Sequence, residues 1–353
     1  MLKRSSLWAA LLVAGFSFSA QAGSARDYIS IVGSSTVFPF SSTVAEQFGK
    51  SQPQFKTPKV ESTGTGGGIK LFCGGVGVQF PDIANASRRM KPGEFQDCAA
   101  KGVKEISEIK FGYDGIVLAN AKSAPQYKLS RREIYLALAK QVPSRADPTV
   151  LENNPNTTWD QVNPSLPRVK IEVLGPPPTS GTRDAFGELI MTAGCEANPA
   201  MKAMEKTDKD KFKAICSGLR EDGVFVEAGE NDNLIVQKLE ANPGTIGIFG
   251  FSYLEENEAR LKGIAINGVS PSYDSISSFK YPGSRPLYIY VKNAHVRAIP
   301  AIKAFVAEFT KETTWGPGGY LVRRGMIAAP DAVRAKNAAA ARALTPLDLA
   351  SIK

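Results

Sequence analysis

The stretch GPPPTSGTRDAF, residues 175–186, sets three prolines directly before a turn of Thr, Ser, Gly, Thr and Arg. The apolar stretch VKIEVL at 169–174 precedes it and has the pattern of a strand. Apolar residues then recur at helical spacing as far as Gly194, a typical helix stop: Ala185, Phe186, Leu189, Ile190 and Ala193. The segment therefore predicts a strand, a turn rich in hydrogen-bond donors, and a helix.

Such a turn is of the kind that receives anions. The first turn of a helix exposes unpaired backbone N–H groups and a partial positive charge. Ser and Thr hydroxyls add donors, Gly lets an anion approach the backbone, and Arg183 can add a charged fork. We interpret the turn as part of an anion-binding site, with the ordinary role of Ser and Thr as helix N-caps as the alternative.

The same order of strand, small polar residues and helix occurs twice more. The strand pattern at 28–32 runs into GSSTV, and the pattern at 59–63 runs into GTGGG. A further short strand, DIANA at 82–86, ends at Ser87. Strands that alternate with helices imply an α/β fold with parallel sheets. Three donor-rich turns in one chain favour an anion-binding protein.

The start of the chain predicts export. Residues 1–22 combine a basic beginning, a short apolar middle and a small-x-small end, the pattern of a signal peptide cleaved before Gly23. The formal net charge of +9 falls to +7 when Lys3 and Arg4 leave. The remaining basic residues are scattered among acidic ones, which argues against nucleic acid and favours the approach of small anions.

The four cysteines are Cys73, Cys98, Cys195 and Cys216. Their spacing is too wide for paired zinc knuckles, and thiols of exported proteins are usually oxidised. Three connectivities are possible. The sequential pairing, 73 with 98 and 195 with 216, keeps both loops local, and we predict it.

The sequence does not match the patterns of a P-loop, a serine hydrolase or a metal site. The stretch STGTGGGIKL has Ile69 and Leu71 where a phosphate-binding P-loop needs Gly and Ser or Thr. The single histidine, His295, lies far along the chain from Ser180, and we interpret it as a surface residue. Ser180 lacks the GxSxG context of a hydrolase, and no cluster of metal ligands is evident. We expect neither an enzyme nor a cofactor.

Several of these segments together resemble a known family. VGSSTVFPF, ESTGTGGGIK, DIANASRR, SGTRDAF and GTIGIFGFSYL follow this order in the periplasmic phosphate-binding proteins of ABC phosphate transporters, the PstS-like group. The resemblance covers about residues 28–325. It implies the type II periplasmic-binding-protein fold, with two α/β lobes of mixed sheets flanked by helices and a ligand cleft between them. Lobe I would hold residues 24–115 and 287–353, and lobe II residues 116–286.

The resemblance also implies the site and its role. One jaw of a phosphate clamp would come from three segments and the other from the SGTR turn, with these contacts: Thr36, Val37, Thr65, Gly66, Ser87, Arg88, Ser180, Gly181, Thr182 and Arg183. We expect a periplasmic monomer that captures inorganic phosphate and delivers it to an ABC permease. The alternatives are a secreted phosphomonoesterase and an adhesive or signalling protein on the same fold.

Two positions depart from the family pattern. Arg88 stands where some members carry an aspartate that accepts the phosphate proton, and Pro176 stands where some carry an arginine. Arg88 and Arg183 are the residues expected to supply positive charge instead. For the missing acceptor we consider Glu61, Asp114 and Asp184, and we predict that Glu61 takes the role.

Overall fold

The structure is a computed structural model that describes residues 26–34, 36–178, 180–229 and 232–352. The predicted signal peptide, residues 1–22, lies outside the described residues. Thirteen strands occur in the described part: β1 Ser30–Gly33, β2 Lys59–Ser62, β3 Ile83–Ala86, β4 Ile106–Ala121, β5 Lys128–Leu129, β6 Gln141–Pro143, β7 Leu151–Asn153, β8 Val173–Gly175, β9 Phe225–Glu227, β10 Ile246–Gly250, β11 Leu261–Gly263, β12 Ala265–Ile266 and β13 Ser284–Lys292.

The helices of the same part of the chain are α1 Phe38–Ser51, α2 Thr65–Phe72, α3 Pro92–Ala100, α4 Arg131–Leu138, α5 Trp159–Val162, α6 Gly181–Phe186, α7 Ala193–Cys195, α8 Pro199–Thr207, α9 Lys209–Ser217, α10 Asp232–Ala241, α11 Phe251–Glu256, α12 Tyr273–Ser277, α13 Ala301–Phe309, α14 Glu312–Trp315 and α15 Asp331–Ala343. A π-helical stretch, Gly187–Thr192, joins α6 to α7. Within the described residues, none of the helices has the length and apolar character needed to cross a membrane.

One mixed sheet runs through the molecule. Its order is β2-β1-β3-β13-β4-β10-β8-β9, and β11 pairs with β4 outside this path. The outer strands pair in parallel, as β1 does with β2 and β3, and as β8 does with β9 and β10. In the middle, β13 runs antiparallel to both β3 and β4. The mixed α/β fold predicted from the sequence is confirmed.

Buried apolar side chains form separate cores on the two halves of this sheet. The largest draws on residues 113–281 together with Ile327 and Ala329, and includes Trp159, Phe186 and Phe249. The other two combine the first 111 residues with residues from 287 onward. The chain passes between the halves along β4 and β13. Backbone hydrogen bonds of 2.9 Å between Tyr113 and Ile327 also join β4 to the segment before α15.

The cysteines pair as predicted. Cys73 at the end of α2 is bonded to Cys98 in α3, and Cys195 in α7 is bonded to Cys216 in α9. All four are buried. Loops of 25 and 21 residues are closed, which by loop entropy corresponds to a stabilisation of about 3 kcal/mol for each bond.

His295 is not the surface residue predicted from the sequence, since only 3% of it is exposed. Its Nδ1 donates to Asp82 Oδ1 over 2.7 Å, and its Nε2 accepts the backbone N–H of Gly77 over 2.9 Å. Asp82 also accepts from Arg26 Nη2 at 2.8 Å and from the N–H of Ser30 at 2.7 Å. This buried ionic cluster ties the loop after α2 to the beginning of β3, the strand that leads to Ser87.

A buried lysine next to this cluster makes stability depend on pH. Lys292 Nζ donates to the carbonyl of Gly75 over 2.7 Å, and burial lowers the pKa of Lys292 to about 8, with Asp82 opposing the shift. Between about pH 8 and the ordinary lysine value of about 10.5, the unfolded chain binds more protons than the folded one. Stability of the wild type should therefore rise with pH relative to Lys292→Met, by at most about 1.4 kcal/mol per pH unit. Urea unfolding of both proteins at pH 7.5, 8.5 and 9.5 checks this, and a constant difference would contradict it.

Candidate functional site

A cleft of about 710 Å³ opens between the two halves of the sheet. Residues that line it come from the turns after β1, β2 and β3, from the region of α6 and the π-helical stretch, from α9, and from β13. Six of the predicted contacts lie on its wall: Thr36, Thr65, Gly66, Ser87, Arg88 and Arg183. Val37, Ser180, Gly181 and Thr182 are not among the described residues that line it.

The turn before α2 meets the end of β3 directly. Thr65 Oγ1 accepts the backbone N–H of Ser87 over 3.1 Å and lies 3.1 Å from Ser87 Oγ. The close packing of α2 on β1 depends on Gly68, because a Cβ there would lie 2.3 Å from the Cα of Gly33. Two of the donor-rich segments therefore bring their hydroxyls to one point of the cleft.

Of the two contacts predicted in the turn after β1, Thr36 lines the cleft and Val37 does not. The N–H of Val37 donates to Ser34 Oγ over 3.3 Å, and the Val37 side chain is fully buried. Thr36 lines the cleft, and its Oγ1 donates to the carbonyl of Gly181 on the opposite side over 3.0 Å. Thr36 is thus the point at which the two predicted jaws touch.

On the opposite side, Ser180 is the N-cap of α6. Its Oγ accepts the N–H of Thr182 over 3.2 Å, which is the capping role considered as the alternative for this turn. Arg183 Cζ lies over the ring of Phe225, 4.3 Å from its centre, and Nη1 donates to the carbonyl of Pro176 over 3.0 Å. Burial lowers the pKa of Arg183, although Glu227 counteracts this. An anion in the cleft would stabilise the charged form of Arg183 and so offset part of the cost of its burial.

Arg88 is engaged by a carboxylate of its own side of the cleft. Its Nη1 and Nη2 form a fork with Glu94 at 2.9 and 2.7 Å, and this ion pair raises the pKa of Arg88. A bidentate pair is strong and geometrically specific. Arg88 therefore lines the cleft with a charge that Glu94 already balances.

A further arginine that the sequence reasoning missed lies in the wall of the cleft. Arg285, only 3% exposed, forms an ion pair from Nε to Asp114 Oδ2 over 3.1 Å. Its Nη2 donates to Thr36 Oγ1 and, over 3.1 Å, to the carbonyl of Gly181. A signal was present in the sequence, because Arg285 and Asp114 are opposite charges placed within the apolar strand patterns SRPLYIYV and GYDGIVLANA.

The predicted proton acceptor does not fit the geometry. Glu61 lies exposed on the edge strand β2 and is not among the described residues that line the cleft. Asp114 forms an ion pair with Arg285. The carboxylates on the cleft wall are Asp184, Glu188 and Glu205. Of the three candidates considered, Asp184 is the one that lines the cleft.

The described residues hold no group of three or more His, Cys, Asp or Glu arranged to bind a metal ion. His295 is occupied by Asp82 and Gly77 and takes no part in the cleft. The cleft wall presents hydroxyls, a helix start and guanidinium groups, which are donors that suit an oxyanion.

Comparison with known proteins gives consistent results. The PBP superfamily domain matches residues 19–313. Protein SphX of Synechococcus elongatus is 35% identical over 289 residues, which cover 79% of this chain and 73% of that protein. The phosphate-binding protein PstS of Staphylococcus haemolyticus is 30% identical over 308 residues, covering 85% and 80% of the two chains. Among solved structures, a possible phosphate-binding protein from Planctomyces limnophilus has a TM-score of 0.69 at 27% identity, covering 89% of this chain and 98% of its own.

Proposed function

This chain belongs to the PstS-like phosphate-binding proteins of the PBP superfamily, and from this premise we propose that it captures inorganic phosphate in the periplasm and delivers it to an ABC permease. The observation that carries the proposal is the convergence of Thr36, Thr65 and Ser87 with Arg183 on one cleft. An ABC-type phosphate transport receptor from Vibrio cholerae shares the fold, with a TM-score of 0.57 at 21% identity. The signal peptide predicted at residues 1–22 supports the periplasmic location.

Binding in this proposal is a clamp between two lobes. Lobe I comprises residues 24–115 and 287–353, and lobe II residues 116–286. Hydroxyl donors of lobe I and the start of α6 with Arg183 of lobe II bind the same phosphate from opposite sides. Each hydrogen bond to a charged group contributes on the order of 1.5 to 3 kcal/mol, so the ligand favours the arrangement in which both lobes reach it.

The protein acts as a monomeric binding protein and not as an enzyme. A secreted phosphomonoesterase needs a base or a metal beside the phosphate. The single histidine is used by the buried ionic cluster, and no other observation favours that alternative. An adhesive or signalling role on the same fold likewise has no feature of the cleft in its favour.

Calorimetric titration of the purified protein with phosphate, arsenate and sulfate tests the proposal. We expect tight binding of phosphate, binding of arsenate because it has the same shape and protonation, and much weaker binding of sulfate. Sulfate has no proton at neutral pH and would face the cleft carboxylates without a hydrogen bond to them. Absence of phosphate binding would overturn the proposal. Equal binding of sulfate would contradict only the expected selectivity for phosphate over sulfate.

Replacement of Arg183 by alanine should weaken phosphate binding at least tenfold. The change removes a charge-assisted donor from the lobe II wall, at a cost of about 1.5 to 3 kcal/mol. The matched control is Arg168→Ala, since the Arg168 side chain is 89% exposed and lies 4.0 Å from Asp160. Phosphate titration of both folded variants decides the matter. Equal affinities in the two would remove Arg183 from the site.

A further inference from the structure

Three arginines of the described chain line the cleft, and they differ in how much of their charge is already balanced. Arg88 is forked onto Glu94. Arg183 stacks on Phe225, and its Nη1 lies 3.8 Å from Glu227. Arg285 uses Nε for Asp114, whereas its Nη2 donates to two neutral oxygens. Arg183 also donates to a neutral oxygen, the carbonyl of Pro176. Arg183 and Arg285 therefore have donors on neutral partners that an anion can recruit, whereas both Nη atoms of Arg88 donate to Glu94.

Arg285 also has the most central position. It lies at the start of β13, where this strand pairs with β4 in the passage between the two halves of the sheet. Its Nη2 partners come from opposite sides of the cleft, Thr36 from the turn after β1 and Gly181 from the start of α6. The guanidinium therefore lies where the two proposed jaws meet.

Exchange of these neutral partners for an anion is favourable on simple grounds. A bond from the charged guanidinium to an anion adds a charge–charge attraction that its present bonds to neutral oxygens lack. Arg285 is buried, so its interaction with an anion is weakly screened by solvent. The same exchange frees Thr36 Oγ1 from the bond that it accepts from Arg285, while its own bond to the carbonyl of Gly181 is separate.

We propose that Arg285, oriented by Asp114, is the guanidinium that binds the anion at the floor of the cleft, with Arg88 and Arg183 in supporting positions on its wall. The proposal rests on the proposed function, because phosphate is the anion assigned to this cleft. Asp114 is a positioning residue. It holds Nε and leaves the Nη2 edge directed at the meeting point of the two sides.

The test is phosphate affinity of the full mature protein and its Arg285→Gln, Arg285→Lys and Asp114→Asn variants. The control is Arg334→Gln, since Arg334 is also a buried arginine paired with carboxylates, Glu312 and Asp331, but it is not part of the cleft wall. We expect Arg285→Gln to lose at least a hundredfold in affinity and Arg285→Lys to lose less, because lysine keeps the charge without the fork. Arg334→Gln should bind phosphate like the wild type.

A second measurement separates a binding role from a structural one. Between about pH 6 and pH 8 phosphate gains a negative charge, so a facing guanidinium makes affinity rise with pH. Arg285→Gln should flatten this rise, whereas Asp114→Asn should keep it while weakening binding about tenfold. A folded Arg285→Gln variant that binds within threefold of the wild type overturns the inference. If Arg285→Gln does not fold, Arg285→Lys decides, and wild-type affinity in that variant overturns the inference too. Failure of the wild type itself to bind phosphate would instead overturn the proposed function.

Discussion

Gly68→Ala is expected to destabilise the protein by about 3 kcal/mol, whereas Gly67→Ala, one residue earlier in α2, is expected to be neutral or stabilising. A Cβ on Gly68 would lie 2.3 Å from the Cα and 2.8 Å from the nitrogen of Gly33. Those atoms are backbone, and Gly33 cannot retreat because it pairs with Asn85 on its other side. Overpacking of this kind typically costs 1 to 3 kcal/mol or more.

Gly67 supplies the matched control. The atom nearest to a Cβ on Gly67 is Thr63 Cβ at 3.7 Å, which is ordinary van der Waals contact. Alanine also has a higher helix propensity than glycine, by up to about 1 kcal/mol. Urea unfolding of the two variants measures the difference in their stability. Phosphate titration tests whether the substitution also affects the site, because displacement of α2 moves Thr65 away from Ser87. Identical unfolding midpoints for the two variants would show that the close contact between α2 and β1 carries no energetic weight.

Asp82→Ala is expected to cost about 3 to 5 kcal/mol of stability. Asp82 is fully buried and accepts from Arg26, from His295 and from the backbone of Ser30. Removal of one member of a buried ion pair leaves an uncompensated charge in a medium of low dielectric constant. Arg26 is already poorly satisfied, since its Nε and Nη1 are buried without a hydrogen-bond partner among the described residues. The loss of Asp82 therefore leaves the Arg26 guanidinium without its carboxylate and with the carbonyl of Phe80 as its remaining acceptor.

The control for Asp82 is Asp27→Ala. Asp27 pairs with Lys56 at 2.7 Å, a distance as short as those in the buried cluster, but both side chains are more than half exposed. Exposed ion pairs contribute little because water and salt screen them. Thermal melts should then show a large loss for Asp82→Ala and little change for Asp27→Ala. Similar melting temperatures for the two would mean that burial adds nothing to the importance of Asp82.

The turns and cysteine pairs could be predicted because their signals are local. The strand pattern before GSSTV appears as β1, and GTGGG begins α2. The stretch SGTRDAF opens α6 with Ser180 as its cap. The sequential cysteine pairs needed only short loops. In each case neighbouring residues decide the conformation through capping, glycine freedom or loop entropy.

The charged pairs could not be predicted, because their partners are far apart in the sequence. Arg285 and Asp114 are 171 residues apart, and His295 and Asp82 are 213 apart. The position of His295, after a strand and before a turn, does not identify Asp82 as its partner. Glu61 was chosen for its place next to a donor-rich turn, yet alternation along β2 directs it to solvent.

The sequence by itself determined the mixed α/β class, the donor-rich turns and the family of this protein, because these follow from local patterns and from their order along the chain. Only the tertiary structure decided which charges are free to act. Arg88 is balanced by Glu94, Arg183 rests on Phe225, and Arg285 is directed at Thr36 and Gly181. The availability of a charge depends on burial and on the distance to its partners, and both are set by how the halves of the sheet pack together.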